Sequence, residues 1–150
     1  MKSRNLLTGM AVAIAMSVTI IACDKDDDNP PALRSKEYTL VPVGASGVGG
    51  KVTVLENADK TLALTVALDK SVKDTVHVSH IHSGSITSPG AVVIPLSSIT
   101  GTGGAASATT AINTITYDSL LNYTGYINVH YSAYRIDSLI TQANIGKNNP

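Results

Sequence analysis

The chain has 150 residues, with 11 basic and 11 acidic side chains and a formal net charge of zero. Without a basic surplus there is no electrostatic field to gather nucleic acid. A single cysteine excludes an internal disulfide, so any folded domain must be held by its core, and that core must be aliphatic, because six tyrosines are the whole aromatic content.

The chain opens on Lys2 and Arg4, continues through an apolar stretch from Leu6 to Ala22, and reaches Ile20-Ile21-Ala22-Cys23. A charged start, an apolar middle and a small residue before cysteine resemble a bacterial lipoprotein signal, which makes Cys23 the lipidation site. A transmembrane helix is the competing reading, but a span needs about 20 apolar residues. This stretch has 17, diluted by Thr8, Gly9, Ser17 and Thr19. The expectation is that residues 1–22 are removed, leaving 128 residues with 9 basic and 11 acidic side chains, a net charge of −2. Next come Asp24-Lys25-Asp26-Asp27-Asp28-Asn29-Pro30-Pro31. Such a segment cannot bury apolar surface, so residues 23–36 read as a solvated tether. The acidic run also resembles the export signal of surface lipoproteins in some Gram-negative bacteria. Two locations therefore stay open for an outer-membrane lipoprotein of the cell envelope: facing the periplasm, or displayed at the surface.

Beyond the tether, period-two alternation and β-branched residues dominate. Glu37–Val43 is the first expected strand, and Gly44–Gly50, with four glycines, a turn or bulge. Lys51–Glu56 and Thr61–Asp69 read as a hairpin around Asn57-Ala58-Asp59-Lys60. Within it Leu62, Leu64, Val66 and Leu68 alternate without error and should give one face to the core. Asp74–His82 is a fourth strand, Ser83–Gly90 a loop, and Ala91–Leu96 a fifth strand at an edge, because Pro95 cannot donate to a ladder. A loop through Gly104, a strand within Ala106–Thr116 and a short helix over Tyr117–Asn122 follow. Gly125–Tyr131 and Tyr134–Gln142 close the domain, and residues 143–150 read as a polar, frayed tail. Tyr117, Tyr123, Tyr126, Tyr131 and Tyr134 should straddle the core edge, rings inside and hydroxyls wet. Seven or eight short strands with one short helix predict an all-β domain over 37–142, an antiparallel Greek-key sandwich or barrel.

Familiar catalytic signatures are missing from the sequence. It has no phosphate loop, no nucleophile elbow and no CxxC, and the seven acids beyond the tether are scattered. Gly44–Gly50 lacks the strand–loop–helix setting of a nucleotide loop. The domain is expected to be non-catalytic.

All four histidines fall in two strands: Val76-His77-Val78-Ser79-His80-Ile81-His82 and Tyr126-Ile127-Asn128-Val129-His130. Residues two apart in a strand share a face. If Ile81, Ile127 and Val129 face the core, His80, His82 and His130 share the outer face, and neighbouring strands would bring the three imidazoles together. Three neutral imidazoles suit copper or zinc. A structural role, with the rings bonded to backbone at a sheet edge, is the competing expectation. Val76 and Val78 share parity with His80 and His82, so inward valines would turn these histidines inward unless the strand bulges near Ser79. His77, on the opposite parity, is the weaker ligand candidate.

His80-Ile81-His82-Ser83-Gly84, a valine-rich strand ending at Leu96, and Tyr126-Ile127-Asn128-Val129-His130 together resemble the chordin-type (CHRD) domain over roughly residues 37–142. The resemblance implies an extracytoplasmic Greek-key sandwich of immunoglobulin-like or copper/zinc-superoxide-dismutase-like topology. Chordin itself antagonises a growth factor, whereas bacterial members have no settled activity. Tyr134-Arg135-Ile136-Asp137-Ser138-Leu139-Ile140 departs from the family's Gly-Glu-Ile-Arg-Gly-Gln-Ile-like strand: Ile136 and Ile140 hold, the glycines and central arginine do not. The pattern is also distantly similar to copper/zinc superoxide dismutase. No further histidines exist for a bridging ligand and a zinc subsite, so dismutase activity is not expected. The leading expectation is a lipid-anchored envelope module that binds a protein, glycan or matrix partner. The alternative is a mononuclear copper or zinc site at His80, His82 and His130.

Overall fold

The structure, a computed structural model, describes residues 33–149. The expected signal peptide, Cys23 and most of the tether lie outside these residues. The described chain forms ten strands and one helix: β1 Ser35–Pro42, β2 Gly50–Glu56, β3 Leu62–Leu68, β4 Val76–His77, β5 Ser79–Ser85, β6 Ser88–Pro95, β7 Ile99–Thr100, β8 Ala106–Ile112, α1 Tyr117–Leu121, β9 Thr124–Ser132 and β10 Arg135–Gly146. Among the described residues no helix is long and apolar enough to cross a membrane.

Eight strands form one antiparallel sheet in the order β6-β5-β9-β10-β1-β2-β3-β8, and β4 and β7 form a separate ribbon. The first strand makes the sheet turn over on itself. Its Ser35–Leu40 portion pairs with β2, whereas Val41 and Pro42 pair with β10. One layer is therefore β1-β2-β3-β8 and the other β1-β10-β9-β5-β6, an all-β sandwich as the alternation predicts. The far ends are tied where Ser97, just past β6, donates from its backbone N–H to Thr110 Oγ1 (2.8 Å) and from its hydroxyl to the Thr109 carbonyl (3.0 Å).

A period of two puts every second side chain inside. Leu62, Leu64, Val66 and Leu68 are all buried, as are Val52 and Val54 across the hairpin and Ile81, Ile127 and Val129 on the opposite layer. The helix starts where Thr116 Oγ1 accepts from the Ser119 N–H, and it seats Tyr117 and Leu120 in the same core. A side-chain cap of this kind satisfies one of the donors a helix start leaves free. Tyr38, Tyr117 and Tyr126 are buried, but Tyr134, at the β9–β10 turn, is wholly exposed and does not straddle the core.

Four expectations are corrected. The strand expected over Asp74–His82 is two strands: β4 pairs with β7, β5 with β6 and β9, and the break at Val78 gives its carbonyl to the His130 N–H (2.9 Å). The expected loop Ser83–Gly90 is a tight hairpin in which Ser85 Oγ accepts from the Ser88 N–H. It closes because Gly84 sits at φ +86°, a conformation side chains rarely adopt, and because a Cβ on Gly90 would lie 2.6 Å from the Ser83 carbonyl oxygen. The tail is not frayed from residue 143: β10 runs to Gly146, Ile145 is buried, and Asn148 Nδ2 donates to the Gly84 (2.7 Å) and Gly125 (3.0 Å) carbonyls. The domain also starts earlier than residue 37.

That early start carries an anchor that charge patterning did not reveal. Arg34 donates to both carboxylate oxygens of Glu56 (2.7 and 2.9 Å) and to Asp118 on α1 (2.7 Å), and its guanidinium lies 4.6 Å from the Tyr117 ring centre. The Glu56 side chain is nearly buried, and an unpaired carboxylate there would be costly. The Arg34 hydrogen bonds hold the Glu56 carboxyl below its usual 4.5, more than burial raises it. A depressed folded-state pKa means that this stabilisation is present above about 4.5 and is lost as pH falls through the folded value. Arg34→Met should lower Tm at pH 7 by several degrees and shrink the difference between pH 7 and pH 3. Thermal melts at the two pH values check it; an unchanged pH 7 melt would show that the pair contributes nothing.

Candidate functional site

The β5–β9 ladder places His80 opposite Asn128 and His82 opposite Tyr126 without a register shift. Ile81, Ile127 and Val129 point into the core, so His80, His82, Tyr126, Asn128 and His130 share the outer face. The anticipated bulge at Ser79 is unnecessary. The alternation is unbroken because the valines turn outward instead: Val76 is 49% exposed, whereas His77 is fully buried.

His77 is thereby a core residue. Its Nδ1–H donates to the Tyr131 carbonyl at 2.7 Å and its Nε2 accepts from the Val72 N–H at 3.2 Å. Both ring nitrogens are used, which leaves no lone pair for a ligand.

The other three rings converge. One nitrogen from each of His80, His82 and His130 lies within 4.8 Å of the others, and His80 Nδ1 is 3.4 Å from His130 Nε2. Ring centres are 5.3 Å apart for His80 and His130 and 6.0 Å apart for His80 and His82. His82 stacks on Tyr126 at 4.8 Å and donates Nδ1–H to the Gly90 carbonyl at 3.1 Å. His130 donates Nδ1–H to the Ile136 carbonyl. That carbonyl reaches the ring because β10 is bulged between Arg135 and Leu139. When one imidazole nitrogen donates to a carbonyl, the other carries the lone pair. In His82 that atom, Nε2, is buried with no partner, as is Asn128 Oδ1 on the same face.

Burial pushes the His80 pKa below the ordinary histidine value, and His130 and His82 add to the shift. Burial also lowers His130, against an opposing push from the Ile136 carbonyl. Both rings are therefore neutral near pH 7, the form that donates a lone pair. The arrangement can hold a cation that prefers nitrogen; among the described residues no carboxylate or thiolate joins the group.

Gly90, Ile136 and Asn128 were not foreseen as part of this site. The first two act through backbone carbonyls, which no residue type advertises. Asn128 was visible only as sharing a face with His130.

The model of the CHRD domain matches residues 32–136 of this chain. The chain belongs to the CHRD domain family. A search of curated proteins finds no match. The CHRD match begins beside Arg34, in agreement with the early start of the folded region. It ends at Ile136, inside β10 and within the segment where that strand bulges. In that strand Ile140 is buried and Ile136 is 45% exposed.

Proposed function

We propose that the protein is a lipid-anchored, non-catalytic CHRD module that binds a protein, glycan or matrix partner at the bacterial cell envelope, as an outer-membrane lipoprotein. The observation that carries this reading is the order of the chain: an Ile20-Ile21-Ala22-Cys23 lipobox, an acidic tether, then a CHRD domain from residue 32. Most of the domain's acids serve the fold. Glu37 pairs with Lys51, Glu56 and Asp118 with Arg34, and Asp69 accepts from the Gly49 N–H. Val92 and Val93, both half exposed on the end strand β6, offer a partner apolar surface.

One acyl chain holds a protein to a membrane only marginally, whereas two hold it stably. With a doubly or triply acylated Cys23, the wild type should sediment with membranes and release only by cleavage in the tether. Cys23→Ser should leave an unprocessed precursor that takes up no labelled palmitate. A normally processed, membrane-bound Cys23→Ser product would refute the anchor. Protease added to intact cells distinguishes the two locations: digestion means surface display, protection a periplasmic face.

A further inference from the structure

We propose that His80, His82 and His130 form a mononuclear site for a first-row transition-metal ion of the Zn2+ or Cu2+ class. The inference rests on the geometry of this face alone and stands whether or not Cys23 carries lipid.

Two of the three rings have their tautomer set from behind. Gly90 and Ile136 take the Nδ1 protons of His82 and His130, so the two Nε2 atoms carry lone pairs. A carbonyl behind a ligating histidine is the usual outer-shell partner in metal sites, because it orients the ring and raises its basicity. His82 Nε2 is buried without a donor, an arrangement that costs free energy in the metal-free protein. An ion supplies the missing partner.

The spacing fits. With bonds of about 2.0–2.1 Å in tetrahedral geometry, ligand nitrogens stand roughly 3.3–3.4 Å apart. The His80 Nδ1–His130 Nε2 separation of 3.4 Å already has this span, and the three ligand nitrogens all lie within 4.8 Å of one another. A small side-chain rotation closes the difference. The β5–β9 ladder beneath has no register shift, so the Cα positions are held by the sheet.

The donor set names the metal class. Three imidazoles favour zinc or copper over calcium or magnesium, which want oxygen. Three protein ligands leave a fourth position open. His80 and His82 are partly exposed, so solvent can supply a ligand at that position.

The test uses the full chain, purified without a histidine tag, stripped with chelator and titrated separately with ZnSO4 and CuSO4. One equivalent of at least one metal should bind with submicromolar Kd and raise Tm by several degrees. His82→Ala, at a partly exposed position, should fold normally yet weaken binding at least 100-fold, and His130→Ala should do the same. Electron paramagnetic resonance of the Cu2+ form should show nitrogen ligation that is reduced in His82→Ala. Stoichiometric binding that survives both substitutions would place the ion elsewhere, for example on the acidic tether, and overturn the site. So would the absence of binding at micromolar concentrations of both metals.

Discussion

Replacing Ile127 by alanine is expected to cost about 2–5 kcal/mol of stability. Ile127 is fully buried in the middle of β9, paired with Ile81 on one side and Ala143 on the other. Truncation removes transfer free energy and leaves a cavity that close-packed neighbours fill only in part. Against the roughly 5–15 kcal/mol that holds an ordinary domain together, this is a large share. The urea midpoint should fall by about 1–3 M at unchanged slope. Val93→Ala, at a half-exposed position on β6, should change stability by no more than about 0.5 kcal/mol. Equal effects at the two positions would mean that the core lies elsewhere.

Replacing His77 by alanine should cost on the order of 3 kcal/mol, from two sources of similar size. One is the space left by a fully buried ring. The other is the loss of partners for the Val72 N–H and the Tyr131 carbonyl, which His77 bridges. His77→Phe separates the two sources, because it fills the volume and restores neither hydrogen bond. It should recover part of the loss and remain about 1–3 kcal/mol below wild type. A His77→Phe protein as stable as wild type in chemical denaturation would show that the bridge contributes nothing. Because His77 points away from His80, His82 and His130, neither substitution should alter metal binding by protein that remains folded.

Much of the sandwich was legible because alternation is a one-dimensional signal. Leu62, Leu64, Val66 and Leu68 declare a buried face with no knowledge of what they pack against, and they are buried. Ile81, Ile127 and Val129 do the same for the opposite layer, and that placed His80, His82 and His130 outside. The signal failed where the backbone departs from regular pairing. Val76 and Val78 look inward-facing by hydrophobicity, but parity is set by the ladder, and the ladder gave the interior to His77 and Ser79. Gly84, Pro89 and Gly90 give the hairpin at Ser83–Gly90 the sequence of a loop. Those glycines instead permit a close strand approach. Arg34 was invisible as an anchor because its partners are 22 and 84 residues away.

Taken alone, the order of residues determined the all-strand class, the mainly aliphatic core and the set of histidines that share one face, since each follows from side-chain type and a period of two; the CHRD resemblance rested on the His80–Gly84 and Tyr126–His130 motifs. Only the tertiary structure decided that β5 lies beside β9, and that the Gly90 and Ile136 carbonyls hold the Nδ1 sides of the His82 and His130 rings. Strand order, bulges and backbone acceptors come from long-range pairing of peptide groups, and every residue carries the same peptide group.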